Sequence, residues 1–175
     1  MNTLVLVSHP NLNESRLNRK LLEAIPEGVT VRDLYAIYPD GKIDAEKEQE
    51  LLLSFDRIVF QFPFYWYSSP SLLKEWQDSV LTYGFAYGAE GTALRGKRFR
   101  LAVTTGGPSE AYQAEGHNRF TMDELFAPYK AMANLTGMEF EEPFLVQGAM
   151  RLTESELEAH MQAYGGLFVR SIVRK

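Results

Sequence analysis

Apolar runs of strand length alternate with segments of helical period along the chain, and this alternation limits the fold more than any other feature. Leu4-Val5-Leu6-Val7 contains no polar residue, the pattern of a strand buried on both faces. A helical stretch follows from about Ser15, with Leu17, Leu21, Leu22 and Ile25 on one side, until Pro26 and Gly28 end it. Val29 to Leu34 reads as a second strand, Arg57 to Phe62 as a third stopped by Pro63, and Phe99 to Thr104 as a fourth. Asp44 can cap a helix whose Leu51, Leu52 and Phe55 face inward, and Ser71 to Leu81 spaces Leu72, Leu73, Trp76 and Val80 helically. Met122 to Leu135 reads as a helix that Pro128 kinks or restarts. Phe140 to Val146 is a fifth strand weakened by Glu141, Glu142 and Pro143. Thr153-Glu154-Ser155-Glu156 forms a capping box that opens a last helix to about Val173.

Strands alternating with helices imply a parallel α/β sheet with right-handed crossovers. The 175 residues match one ordinary domain, and no repeat or linker divides 1–175. In open sheets of this kind, ligands bind beyond the carboxyl ends of the strands. That rule selects residues 8–18, 63–70 and 104–117 before any motif is consulted.

Composition removes several chemistries. A net charge of -5, from 18 Lys+Arg against 23 Asp+Glu, gives no footing for sequence-independent nucleic-acid binding. With no cysteine there is neither a thiol nucleophile nor a Cys-ligated metal, and His9, His117 and His160 lack metal-ligand spacing. No metal is therefore expected. The phosphate loop G-x-x-x-x-G-K-[ST], the dinucleotide fingerprint G-x-G-x-x-G and the hydrolase elbow G-x-S-x-G are all absent. Glu139, Glu141 and Glu142 read as a solvated edge. The N-terminal apolar run lacks a basic flank and the length of a signal peptide, so a cytoplasmic location is expected.

The three selected loops carry the chemistry. The first holds His9, Asn11, Asn13, Ser15 and Asn18 at the start of a helix, where free N–H groups and the positive dipole end suit a phosphate. Ser15 as a simple N-cap, with Asn11 and Asn13 as turn residues, explains that loop equally well. The second loop, Pro63-Phe64-Tyr65-Trp66-Tyr67-Ser68-Ser69-Pro70, sits in a concentration of aromatics: 13% of the chain is aromatic, and ten such residues fall between Phe60 and Tyr87. Four aromatics in a row cannot all enter one core, so they suit a wall for a flat ligand, a subunit interface, or both. In the third loop, Thr104-Thr105-Gly106-Gly107 lets a backbone approach a ligand, and Tyr112 with His117 could hold or move a proton.

In order along the chain stand Ser8-His9-Pro10, Ser15, Asn18, Gln61 to Pro70, Trp76, Asp78, Tyr83-Gly84-Phe85-Ala86-Tyr87-Gly88 and Thr104-Thr105-Gly106-Gly107. This order resembles the NAD(P)H:quinone oxidoreductases, and most closely their small bacterial branch, which includes the ancillary subunits of glutathione-gated potassium efflux systems. The resemblance implies a flavodoxin-like three-layer fold with a five-stranded parallel sheet in the order 2-1-3-4-5. It also implies a homodimer whose flavin sites lie at the interface. Carried over by position, His9, Ser15, Leu17 and Asn18 would surround the flavin phosphate. Pro63, Phe64, Tyr65, Trp66 and Tyr67 would border the ring and ribityl chain, and Thr104, Thr105, Gly106 and Gly107 would hold the ring's polar edge. Tyr112 and His117 would be the catalytic pair, with Tyr112 also touching the flavin, while Phe85, Tyr87 and Trp66 would face the substrate.

The chain lacks the long C-terminal extension of the vertebrate enzymes, so FMN is expected rather than FAD. NAD(P)H would be the co-substrate and a quinone the acceptor. Two rival readings follow from the same resemblance. One is a redox-sensing regulatory subunit of a membrane potassium efflux protein, peripheral to the inner membrane through that partner. The other is a one-electron carrier of flavodoxin type.

Overall fold

The computed structural model describes residues 1–169. Its centre is β1 (Thr3–Val7), whose Leu4, Val5, Leu6 and Val7 are all fully buried. A strand without a polar face needs cover on both sides, and that cover comes from its neighbours and from helices above and below. β2 (Thr30–Asp33) and β3 (Arg57–Pro63) flank it in parallel, and β4 (Arg98–Thr104) lies beside β3. The last edge is made by β5 (Glu139–Phe140) and β6 (Phe144–Val146), which both pair with β4. The order is β2-β1-β3-β4-β5, as the resemblance implied.

Alternation sends the side chains of each strand to two separate cores. Leu4, Leu6, Phe60, Phe62, Leu101 and Val103 face one layer, where they meet Leu52, Trp76 and Phe126. Val5, Val59 and Ala102 face the other, against Leu17, Leu21, Leu157 and Tyr164. The first layer contains α3 (Ala45–Leu53), α4 (Ser71–Val80) and α6 (Ala127–Thr136); the second contains α1 (Arg16–Glu23) and α7 (Glu154–Gly166). Asp44 and Thr153 cap their helices through side-chain oxygens, the latter in a full capping box. In the first layer Glu48 is wholly buried, and it accepts hydrogen bonds from Arg32, Tyr38 and Trp76 Nε1. Pairing makes the burial of that charge tolerable.

Several expectations change. The single strand from Phe140 to Val146 is two, because Glu141-Glu142-Pro143 interrupts the ladder and proline has no N–H to donate. Glu141 is not part of a solvated edge: its carboxylate turns inward to Arg57, 2.7 Å away. The second strand stops at Asp33, whose carboxylate accepts from the N–H groups of Tyr35 and Ala36 and starts a short helix, α2 (Leu34–Ile37). Pro128 stands in the first turn of α6, after a separate short helix, α5 (Met122–Leu125). The last helix ends at Gly166, where paired glycines weaken helical preference. Positions 170–173 of the expected helix lie outside the described residues.

Candidate functional site

A cleft of about 470 Å³ opens at the carboxyl ends of β1, β3 and β4. Its donor end is the start of α1. Ser15 is the N-cap, its Oγ accepting the Asn18 N–H at 3.1 Å. The cap uses an oxygen lone pair and leaves the hydroxyl hydrogen free, so the structural and ligand-binding readings of Ser15 coexist. The first N–H groups of α1 have no intrahelical acceptor and point out of the helix end. His9 adds another donor. Its Nδ1 accepts the Asn11 N–H at 3.1 Å, which places the ring proton on Nε2. Burial lowers the His9 pKa below the ordinary value, with Asp33 opposing, so the ring offers a neutral N–H rather than a full charge.

The floor is a chain of buried amides and hydroxyls. Tyr164 OH donates to Gln61 Oε1 at 2.8 Å, and Gln61 Nε2 donates to the Asn18 carbonyl at 3.0 Å. Asn18 Nδ2 donates to Thr104 Oγ1 at 3.0 Å, tying α1 to the end of β4. Asn18 Oδ1 and Ser8 Oγ are buried and have no hydrogen-bond partner. Native proteins seldom bury such atoms unpaired. Asn18 lines the cleft, so its free acceptor suits a ligand hydroxyl and not a phosphate oxygen, which also only accepts.

The far end is aromatic. Pro63, Phe64 and Tyr65 line the cleft, and the Phe64 N–H is held by the Thr104 carbonyl at 2.8 Å. Tyr65 and Ser68 exchange both backbone hydrogen bonds, which closes a tight turn with Trp66 and Tyr67 at its tip. Those two residues have φ of 48° and 62°. Bulky side chains rarely adopt this left-handed region, at a cost of roughly 1–2 kcal/mol each. The turn type normally calls for Asn-Gly. Trp66 is 91% exposed and Tyr67 about half exposed, with the Tyr67 hydroxyl 3.0 Å from Asn118 Oδ1.

The structure thus gathers His9, Ser15, Leu17, Asn18, Pro63, Phe64, Tyr65, Thr104, Thr105 and Gly106 around one cleft. Gly107 and Tyr112 adjoin it: a methyl group on Gly107 would stand 3.2 Å from the Tyr112 ring, which packs 6.2 Å from Phe64. Burial raises the Tyr112 pKa. The Thr105 hydroxyl is occupied, donating to the Gly107 carbonyl at 2.7 Å. His117 is exposed in the following loop, and neither it, Trp66 nor Tyr67 lines the cleft. Phe85 and Tyr87 pack, partly buried, on the larger core. Asn11 of the first loop also lines it, and Glu14, Arg16, Ala149 and Met150 complete the lining without having been anticipated. Glu14 and Arg16 lie in the loop already selected. Ala149 and Met150 carry no signal in the sequence, since only the pairing of β6 with β4 brings them there.

Among the described residues no group of His, Asp and Glu could hold a metal, and no helix is long and apolar enough to cross a membrane. The flavodoxin-like fold family matches residues 1–167. The NAD(P)H oxidoreductase YrkL of Bacillus subtilis is 48% identical over 160 residues, covering 90% of this chain and 92% of the relative. The glutathione-regulated potassium-efflux system ancillary protein KefG of Pectobacterium atrosepticum is 48% identical over 164 residues, covering 93% and 90%. Among solved structures, general stress protein 14 of Treponema denticola in complex with FMN is 37% identical, with a TM-score of 0.89 and coverage of 96% and 98%.

Proposed function

The chain belongs to the flavodoxin-like fold family, and from that premise we propose that it is an FMN-dependent NAD(P)H oxidoreductase that passes hydride to a quinone or similar flat acceptor. The observation that carries this reading is the cleft itself, with donors at the α1 end, an unpaired buried acceptor midway and an aromatic wall beyond. The residues fit FMN in that order. Ser15, the Nε2–H of His9 and the first N–H groups of α1 would hold the phosphate. Asn18 Oδ1 would accept from a ribityl hydroxyl. Phe64, Tyr65 and the backbone of Thr104 to Gly107 would border the ring. Bound FMN supplies two-electron chemistry, accepting hydride from a nicotinamide and giving it up to the second substrate.

The protein's own work is placement and electrostatics. Tyr112, beside Gly107 and Thr105, would donate its hydroxyl hydrogen where negative charge develops. That hydroxyl is protonated at neutral pH, and burial raises its pKa further. His117 would serve with it, and Trp66, Phe85 and Tyr87 would shape the substrate side, partly from a second subunit. The exposed Tyr65, Trp66, Tyr67 and Tyr83 support such a homodimer, because aromatic residues are enriched at interfaces. The likeness to KefG favours one addition, association with a membrane potassium efflux protein from the cytoplasmic side.

The test is spectroscopic. Purified protein should bind FMN, and anaerobic NADPH or NADH should bleach its visible bands, which an added quinone restores. Tyr112→Phe and His117→Ala should each slow the bleaching in stopped flow. A protein that binds no FMN refutes the reading, and unchanged rates in both variants remove the pair.

A further inference from the structure

The end of the sheet opposite the cleft holds a second concentration of chemistry. Thr3 and Arg57 begin β1 and β3, Arg98 and Arg100 lie on one face of β4, and all four line a cavity of about 660 Å³. Parallel strands of this length separate it from the cleft by roughly 20 Å. Glu141, Leu167 and Phe168 form part of its wall.

Three guanidinium groups converge there on a single carboxylate. Glu141 Oε2 accepts from Arg57 Nε at 2.7 Å, Arg100 Nε stands 3.2 Å away, and Arg98 Nη1 is 3.5 Å from Oε1. The Arg100 approach lacks hydrogen-bond geometry, so its buried Nε stays unpaired. Arg57 is held in place by the Leu167 carbonyl at 2.8 Å and by the Phe168 ring at 5.6 Å. Among the described residues Glu141 is the one carboxylate that pairs with these arginines, so the described part of the cluster has two positive charges in excess. The side chains of Arg57 and Arg100 are only 3% and 15% exposed, so water screens little of that charge. Buried charges are ordinarily paired.

We propose that this cavity binds a dianion of the phosphate class, seated on the Arg98 and Arg100 guanidinium groups with Arg57 behind them. The planar forks of arginine match oxyanion geometry, and a dianion balances the surplus charge. The cavity greatly exceeds the ~30 Å³ share of one water molecule, so there is room for an organic body against Leu167 and Phe168. This assignment is independent of the chemistry in the cleft.

The experiment uses the full chain saturated with FMN, so that a phosphate probe cannot occupy the α1 end. Inorganic phosphate and phenyl phosphate are titrated against chloride at matched ionic strength, with Tm and calorimetric heat as readouts. A saturable rise of roughly 5–10 °C is expected at a hundredfold excess over Kd. Arg98→Gln, at a side chain already half exposed, should fold normally, keep NAD(P)H oxidation and bind phosphate about tenfold more weakly, the loss of one charge-assisted contact. Phenyl phosphate binding tighter than phosphate assigns an organic monoester as the ligand; equal binding assigns the free ion. A response that fails to saturate, matches chloride, or survives in the Arg98→Gln/Arg100→Gln double variant overturns the proposal.

Discussion

Replacing Tyr164 by Phe isolates one atom of the floor beneath the cleft. The ring is fully buried and packs 4.9 Å from Phe144 and 5.1 Å from Phe168, contacts that phenylalanine retains. Only the hydroxyl goes, leaving Gln61 Oε1 unpaired at a site without solvent. A buried acceptor stripped of its partner costs about 1–3 kcal/mol, more than the net value of an ordinary hydrogen bond. For a chain of this size that is roughly 2–12 °C in Tm. Urea unfolding of the FMN-free protein, at constant m, measures the loss without linkage from a ligand. A second signature comes from ionisation. Burial pushes the Tyr164 hydroxyl far above its ordinary value of 10.0. Above that pH the unfolded chain releases a proton that the folded chain keeps, so this group lowers stability as pH rises. Tyr164→Phe should remove that alkaline loss. FMN should also bind more weakly to the variant, because Gln61 no longer fixes the Asn18 carbonyl. An unfolding midpoint equal to wild type would falsify the claim that this floor is a coupled network.

Other expectations follow from single contacts. His9 should titrate below the ordinary 6.5 and show an Nε2–H tautomer by nitrogen NMR; because its folded pKa is depressed, the stability it contributes is present above 6.5 and falls as pH drops below it, a slope that His9→Asn should flatten. Trp66→Asn/Tyr67→Gly relieves the left-handed strain and should raise stability by about 1–2 kcal/mol while quinone turnover falls; a lower Tm would show that the aromatic tip contributes more than its strain costs. Gly116→Ala puts a methyl group 2.3 Å from the Glu110 carbonyl oxygen, which must displace the loop carrying Tyr112 and His117. Its cost should be about 1–3 kcal/mol, with turnover reduced, and wild-type turnover would disconnect that loop from the chemistry.

Much of the architecture was legible because it depends on local pattern. Leu4 to Val7 has no polar face, so it had to lie inside a sheet, and Ser15 and Thr153 carry the chemistry of helix starts. Residues from all three loops picked out by the carboxyl-end rule line one cleft, and ten of the residues carried over by resemblance lie there too. Legibility failed where partners came from a distance. Glu141 has the composition of an edge residue, and nothing near it in sequence announces Arg57, 84 positions away. Gln61 and Tyr164, 103 positions apart, are equally silent until α7 packs on the sheet.

The sequence by itself determined the strand–helix alternation, the loops at the strand ends and the aromatic excess, since each follows from side-chain chemistry within a few neighbours. Only the tertiary structure divided those aromatics, burying Phe60, Phe62 and Trp76, giving Phe64 and Tyr65 to the cleft, and leaving Trp66 and Tyr83 in solvent. It alone also left Asn18 Oδ1 unpaired and grouped three arginines around one glutamate. The physical reason is that a hydrogen bond or an uncompensated charge belongs to a pair in space. Sheet register brings such pairs together across distances that no sequence pattern records.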